Sequence, residues 1–336
     1  MVGPDMDPGF HNITQLAVGY WKSRVLFELA NSGICNLLLE RGQRAEEIAD
    51  ALGLHGEATA ALLDAAVSLK LLRKSQNIFE NTTTGRRFLT STSPESLLHW
   101  LGVMRRWTGP WSELSKVLAT GGPVEDQALR LGDDASYMND FIWAMHEFAR
   151  THSRSLAEAL DLSRVTTLID VGGGAGTYSI ALCRRFPNLR ITVLDLEPVL
   201  ELTQELIVAE GLQDRIRTRV ADYRHDAYGH RVDAVLLSNV LHQESPEVCH
   251  DMLSQAHRAL RSDGMIIAQG HCLDESRVTP GFTTLHNLSA RVLWSGGRSY
   301  TIGDMNQMLE NAGFGNLTTR RLGALTSLVG YRMESS

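Results

Sequence analysis

Cysteine is scarce in this chain: Cys35, Cys183, Cys249 and Cys272 are the only four in 336 residues, far apart and without a CxxC pair. That spacing offers neither a zinc site nor a disulfide framework, and predicts reduced thiols in a cytoplasmic protein. Basic residues are in deficit as well, 32 Lys and Arg against 39 Asp and Glu, for a formal charge of −7. Proteins that grip nucleic acid or an anionic membrane surface concentrate the opposite sign, so neither is expected as a partner. Long apolar runs are missing: nothing approaches the ~20 residues that span a bilayer, and residues 1–10 lack the hydrophobic stretch of a secretion signal. Internal repeats and low-complexity tracts are also absent. What is present is a chain long enough for one large core and one small one, with a small molecule as the expected partner.

Residues 165–177 join a short β-branched run to Gly172-Gly173-Gly174-Ala175-Gly176, and helical periodicity follows over 178–186. This predicts strand, tight loop, helix. Glycines at 172, 174 and 176 permit positive φ and close approach of a ligand to the main chain, with unpaired helix N–H groups aimed at it. A second strand, 190–194, ends on Asp195, where a carboxylate at the carboxyl edge of a parallel sheet accepts hydrogen bonds from both hydroxyls of a ribose. A glycine loop alone also serves close helix packing; loop and carboxylate together predict a nucleotide-like cofactor. The dinucleotide fingerprint puts its third glycine three places after the second, which here is Thr177, so NAD fits poorly.

From Thr166 onward, strands at 168–171, 191–194, 217–221, 234–238 and 265–269 alternate with helices. Pro198 and Pro246 open helices, and Gly264 is expected to close the helix before the strand at 265. The pattern predicts an α/β fold with a doubly wound, mostly parallel sheet. Ahead of it, residues 12–40 suit one or two helices, 44–53 a short helix closed by glycine, and 56–72 another. Ile78, Phe79 and 81–89 suit a β-wing. A winged helix suggests a DNA-binding regulator. Its recognition position, however, carries Glu57 and Asp64 and no base before Lys70, so a structural use is expected instead. Residues 95–160 read as helical with a break at Gly121-Gly122-Pro123, and their many large side chains should mostly pack a core.

Gly19-Tyr20-Trp21, Trp107-Thr108-Gly109-Pro110-Trp111, Phe141-Ile142-Trp143-Ala144-Met145, Asp170 to Gly176, Asp222-Tyr223, Ser238-Asn239-Val240-Leu241-His242 and Ala312-Gly313-Phe314 belong together. Along nearly the whole chain they resemble the small-molecule O-methyltransferases of plants and of bacterial antibiotic pathways. The resemblance implies a class I S-adenosylmethionine-dependent enzyme with a helical winged-helix dimerisation domain over 1–110, a helical connector over 111–160 and a Rossmann-like methyltransferase domain over 161–336. It also implies a homodimer in which the first domain contributes to the partner's pocket. By the same resemblance Gly172, Gly174, Gly176, Asp195, Leu196 and Ser238 would line the cofactor, and Asp222 and Tyr223 would meet its adenine. His242 would be the general base with Gln243 beside it, and Trp107, Met145, His146, His286, Arg291 and Trp294 would border a small-molecule acceptor.

In that family the base is usually followed by Asp, and two further acids orient the imidazole; here Gln243, Gly270 and Ser299 stand at those places. A carboxylate that fixes the tautomer and supports the imidazolium is worth on the order of 10²–10⁴-fold in rate. Without it, either His242 acts with help from Gln243 or Glu244, or the acceptor loses no proton. Methylating a thioether sulfur needs only alignment, exclusion of water and tolerance of positive charge. Relatives in the family methylate a methylthio-hydroxy acid on the route to dimethylsulfoniopropionate, and such an acid would want a cation from Arg105, Arg106, Arg291 or His286. Oxygen is the acceptor the resemblance implies and sulfur the one the missing acids suggest. Carbon transfer and a non-catalytic ligand-sensing regulator are the remaining alternatives.

Overall fold

A computed structural model of the chain describes residues 7–126 and 134–333. The polypeptide forms two compact units that divide between Arg106 and Trp107. Residues 1–6 of the polar start and 127–133 of the expected helical stretch lie outside the described residues.

The first unit opens with three helices where periodicity predicts one or two: Pro8–Ala17 (α1), Tyr20–Asn31 (α2) and Ile34–Leu37 (α3), the last two separated by Gly33 at φ +78°. Helix α4, Ala45–Leu52, starts where Glu47 accepts from the Arg44 N–H at 2.7 Å and stops at Gly53, φ +63°. Helix α5, Gly56–Ser68, ends short of residue 72 because Leu72 already opens a strand. Strands β1 (Leu72–Ser75) and β2 (Ile78–Asn81) form a hairpin about Gln76 and Asn77, both at positive φ as a two-residue type I′ turn demands. The wing expected over 81–89 is instead helix α6, Thr83–Phe88, because the Thr82 hydroxyl accepts from the Gly85 N–H at 3.1 Å and caps it. Leu29, Ile34, Ile48, Leu63, Leu72 and Phe79 are fully buried and make this unit's core. Helix α1 buries nothing in it.

Helix α7, Leu98–Ser112, contains the division. In the second unit follow α8 (Leu114–Thr120) and the 25-residue α9 (Ala135–Ala159), capped by Asp134. After them come β3 (Thr167–Val171), α10 (Thr177–Arg185), β4 (Arg190–Asp195), α11 (Glu197–Ala209), β5 (Ile216–Val220) and β6 (Val232–Ser238). The chain ends with α12 (Pro246–Ala259), β7 (Leu260–Gly270), α13 (Gly281–Leu293), α14 (Ile302–Asn311), β8 (Phe314–Leu322) and β9 (Leu325–Arg332). The seven-stranded sheet runs β5-β4-β3-β6-β7-β9-β8. Strands β3 to β7 are parallel, and β9 lies antiparallel between β7 and β8. Alternate residues feed two cores, with Ile169, Val171, Val235 and Leu237 on one face and Leu168, Ala234 and Leu236 on the other. Gly264 closes no helix: α12 ends at Ala259 and β7 runs through it, after a register shift against β6 between Val232 and Ala234. No helix among the described residues is long and apolar enough to cross a membrane.

Strand order reverses at β3, which sits between β4 and β6. The crevice at such a reversal, beyond the carboxyl ends of the strands, is where open α/β sheets bind ligands.

Candidate functional site

The loop after β3 is held in the left-handed region, with Gly172, Gly174 and Gly176 at φ +62°, +53° and +71°. The glycines differ in purpose. A Cβ on Gly172 would lie 2.7 Å from Val240, on the loop after β6, and 3.4 Å from the Tyr223 ring, so this glycine lets three loops meet. A Cβ on Gly174 would meet nothing within 4 Å, which leaves its backbone open to a ligand. The Gly174 N–H donates to Asp195 Oδ2 and the Leu196 N–H to Oδ1, both at 2.8 Å, so two main-chain bonds aim the carboxylate. Burial, with Asp222 nearby, pushes its carboxyl up to about 6. Leu196 is 51% exposed beside it, an apolar face at a polar edge.

Asp222 and Tyr223 follow β5. Asp222 accepts from the Arg224 N–H at 2.9 Å, and the Tyr223 hydroxyl donates to Glu244 Oε1 at 2.8 Å. Arg224 adds two bonds to the same oxygen, at 2.9 and 2.7 Å. Glu244 is only 4% exposed, and with its backbone carbonyl also accepting from Tyr300 at 3.0 Å it ties the loop after β5 to the turn after β6. Ser238, at the end of β6, accepts from Asn239 and Gln269, both also donors to the Tyr178 hydroxyl. The open Gly174, the strand-end Asp195 and the flat Tyr223 suit a nucleoside with free ribose hydroxyls. At the place of the third dinucleotide glycine, Thr177 instead engages His146 Nδ1 through its hydroxyl at 2.9 Å.

His242 lies in a 3₁₀ turn, Leu241–Gln243, on the loop after β6. Its ring stands edge-on to His286 at 4.8 Å and to Trp294 at 5.6 Å, and His286 in turn lies 4.4 Å from His271. Trp294 continues to Trp107 at 5.7 Å and Trp107 to Phe141 at 6.4 Å, while the Trp107 indole N–H donates to Tyr137 at 2.9 Å. These rings form a wall of aromatic and imidazole faces. Burial first, then His271, lowers His242 to about 3; burial lowers His271 to about 4 and His286 further. His286 Nδ1 pairs with the Ser299 hydroxyl at 3.0 Å and His271 Nδ1 with the Ala324 carbonyl at 3.1 Å. Gly270, with nothing within 4 Å of its Cβ position, borders a cavity of about 20 Å³ shared by His242, His271, Cys272 and Tyr300. No group of His, Cys, Asp and Glu among the described residues could hold a metal ion.

Two sequence expectations need correction. Gln243 does not support His242: its amide turns back to the Asn239 carbonyl at 3.5 Å, as the tight turn dictates. Glu244 does not either, because Tyr223 and Arg224 occupy it. His146 Nδ1 sits against the Thr177 hydroxyl at the start of α10. Met145 and Arg291 are half-buried on α9 and α13, and Arg105 lies 3.9 Å from Glu28 inside the first unit. His271, the Phe282 ring 5.2 Å from it and the Glu244 clamp are not among the expected site residues. His271 had a signal, since it follows β7 as His242 follows β6.

Residues 127–315 match the O-methyltransferase domain family and residues 14–91 the O-methyltransferase dimerisation domain family. The chain is 31% identical to 3-hydroxy-5-methyl-1-naphthoate 3-O-methyltransferase of Streptomyces sahachiroi, over 92% of this chain and 90% of the relative. It is 28% identical to acetylserotonin O-methyltransferase of Gallus gallus, over 94% and 95%. The crystal structure of human N-acetylserotonin methyltransferase with S-adenosylmethionine superposes with a TM-score of 0.90 at 24% identity, covering 99% of this chain and all of that one.

Proposed function

The chain belongs to the O-methyltransferase family and is an S-adenosylmethionine-dependent methyltransferase; we propose that its acceptor is a hydroxyl oxygen on a small aromatic molecule and that it works as a homodimer. One observation carries the acceptor reading: the His242 imidazole is set in a wall of Trp294, Trp107, Phe141 and His286 rings, beside the glycine loop, at the strand-order reversal. Bound S-adenosylmethionine supplies a methyl group on a cationic sulfur. Asp195 takes the ribose hydroxyls, the Gly174 main chain lets the donor lie close, and Tyr223 with Leu196 flanks the adenine. The indoles exclude water and align a flat acceptor, which is where proximity gains its rate. The naphthoate and acetylserotonin enzymes among the relatives, named for flat aromatic acceptors, support this reading. For the homodimer the support is the match over 14–91 and the bare face of α1.

Sulfur transfer has one observation on its side: His242 Nδ1 is buried without a partner, as an acceptor that loses no proton would tolerate. Incubating the protein with the cofactor and a mixed set of hydroxylated aromatics and methylthio acids separates the two. Mass spectrometry should show one added methyl on the aromatics. Addition to the methylthio acids alone would replace oxygen by sulfur.

A further inference from the structure

His242 is poorly placed to take a proton. Its Nδ1 is buried without a partner, whereas Nε2 is not enclosed in that way. A hydrogen on Nδ1 would be an orphaned donor that has lost its water and gained nothing, while a bare lone pair is tolerated more easily. The tautomer with its hydrogen on Nε2 is therefore favoured, and that nitrogen donates rather than abstracts. The surroundings agree. His286 faces the ring from α13, Trp294 from just after it, and His271 from the end of β7. Cys272 and Tyr300 share the adjoining cavity, and Tyr300 pairs with Cys249 at 3.4 Å. Burial keeps all of these neutral, the imidazoles by lowering them and the two thiols by pushing them up to about 12, with Tyr300 also raised. Glu244, Arg298 and Glu247 reach Cys249, Arg298 and Glu247 reach Tyr300, and Arg321 reaches Cys272; Arg298 and Glu247 are of opposite sign, and Glu244 is committed to Tyr223 and Arg224. An imidazolium formed here would be a buried cation without a counter-charge, and a water in the small cavity, being neutral, would not supply one.

On the premise of oxygen transfer, we propose that the acceptor is a hydroxyl acidic enough to enter as its anion, a phenol or enol conjugated to an electron-withdrawing group, and that His242 meets it as a neutral hydrogen-bond donor. The proton goes to solvent before binding. A lone pair of the anionic oxygen forms the new C–O bond while the S–CH₃ bond opens and its electron pair stays on sulfur. The negative oxygen and the positive sulfur become neutral together, and no charge is left in the neutral wall. His271 and His286 serve by staying uncharged and filling the side of the site where a carboxylate would otherwise stand.

Three compounds of similar outline test this: 2-naphthol, 1-nitro-2-naphthol and 2-hydroxy-1,4-naphthoquinone, in order of rising acidity. Absorbance of each bound to the full-length protein with sinefungin, an amine analogue of the donor that transfers nothing, should show the anion band below the pH at which the free compound ionises. In methyl transfer, kcat/KM should rise with pH along a limb that moves with the acceptor's own ionisation. His242→Gln, which keeps an N–H donor, should retain that limb and lose at most about tenfold in rate; His242→Phe should lose more and leave the limb in place. A limb fixed at one pH for all three and abolished in His242→Gln overturns the proposal, as does 2-naphthol bound neutral in preference to the two acids. Methyl transfer to a methylthio acid and to none of the three overturns it together with the oxygen reading.

Discussion

Asp195 and Glu244 are both carboxylates at the carboxyl edge of the sheet, with different work. Asp195 is aimed by the Gly174 and Leu196 N–H groups and has no cationic partner among the described residues, so its spare lone pairs are open to a ligand. Asp195→Ala should weaken S-adenosylmethionine at least tenfold in calorimetry, because it loses the ribose acceptor and the loop geometry together; unchanged affinity would remove Asp195 from the site. Glu244 is spent inside the protein. Glu244→Gln leaves Arg224 and the Tyr223 hydroxyl with one weak acceptor, and since breaking a buried pair costs about 3–5 kcal/mol and Arg224 is 40% exposed, the lower end or less applies. Its melting temperature should fall, and the cofactor KM should rise more than kcat drops; the reverse split would mean that the clamp serves the imidazole instead. Asp195 stands out in the sequence because it closes an apolar strand run beside a glycine loop, whereas His242 is singled out by the family resemblance alone. The role of Glu244 was not readable there, because its partner Arg224 is 20 positions upstream on a different loop.

At the scale of elements, the buried parallel strands were legible because both faces are covered and their runs are unbroken in apolarity, as at Val193-Leu194 and Val235-Leu236-Leu237. The β8–β9 hairpin was not: β8 is the edge strand and mostly exposed, so its sequence alternates with nothing. Helix α6 replaces the expected wing because its six residues carry too little periodicity to outvote Thr82-Thr83-Thr84, whose β-branching favours strand until one hydroxyl turns into a cap. Helix α1 has the opposite lesson. Its amphipathic pattern is plain, yet Phe10, Ile13 and Leu16 are 61%, 65% and 70% exposed on the chain alone. A face of that kind asks for cover. Replacing Ile13 and Leu16 by Glu should leave the circular dichroism of the chain unchanged, since no contact within it is lost, and should halve the mass seen by light scattering. A double variant that stays dimeric would take α1 out of the interface.

For the whole molecule, the sequence gives a net charge but not the pH dependence of stability, because that depends on which ionisable groups are buried. Burial holds His146 to about 4, His242 to about 3 and His271 to about 4, with His286 lower still. Their unfolded value is ~6.5, so the folded chain forgoes protons that the unfolded chain binds. The stability these four contribute is fully present above pH ~6.5 and is lost as pH falls toward their folded values. Asp170 and Asp195, raised by burial to about 6, act in the opposite sense: their contribution is present below ~4 and is lost as pH rises through 6. Near pH 5 four histidines therefore oppose two carboxylates, a net difference of about two protons, or on the order of 2–3 kcal/mol per pH unit. The melting temperature should fall steeply between pH 7 and pH 5, although the acidic chain loses net charge and self-repulsion over the same interval. All six groups lie beyond Arg106, so the slope belongs to the second unit. Saturating S-adenosylmethionine should steepen it further, because a ribose bound through an ionised Asp195 removes one of the two opposing protons. A melting curve that is flat or rises toward acid would show that the imidazoles accept charge in the folded state, and with it the neutral wall around the acceptor would fail.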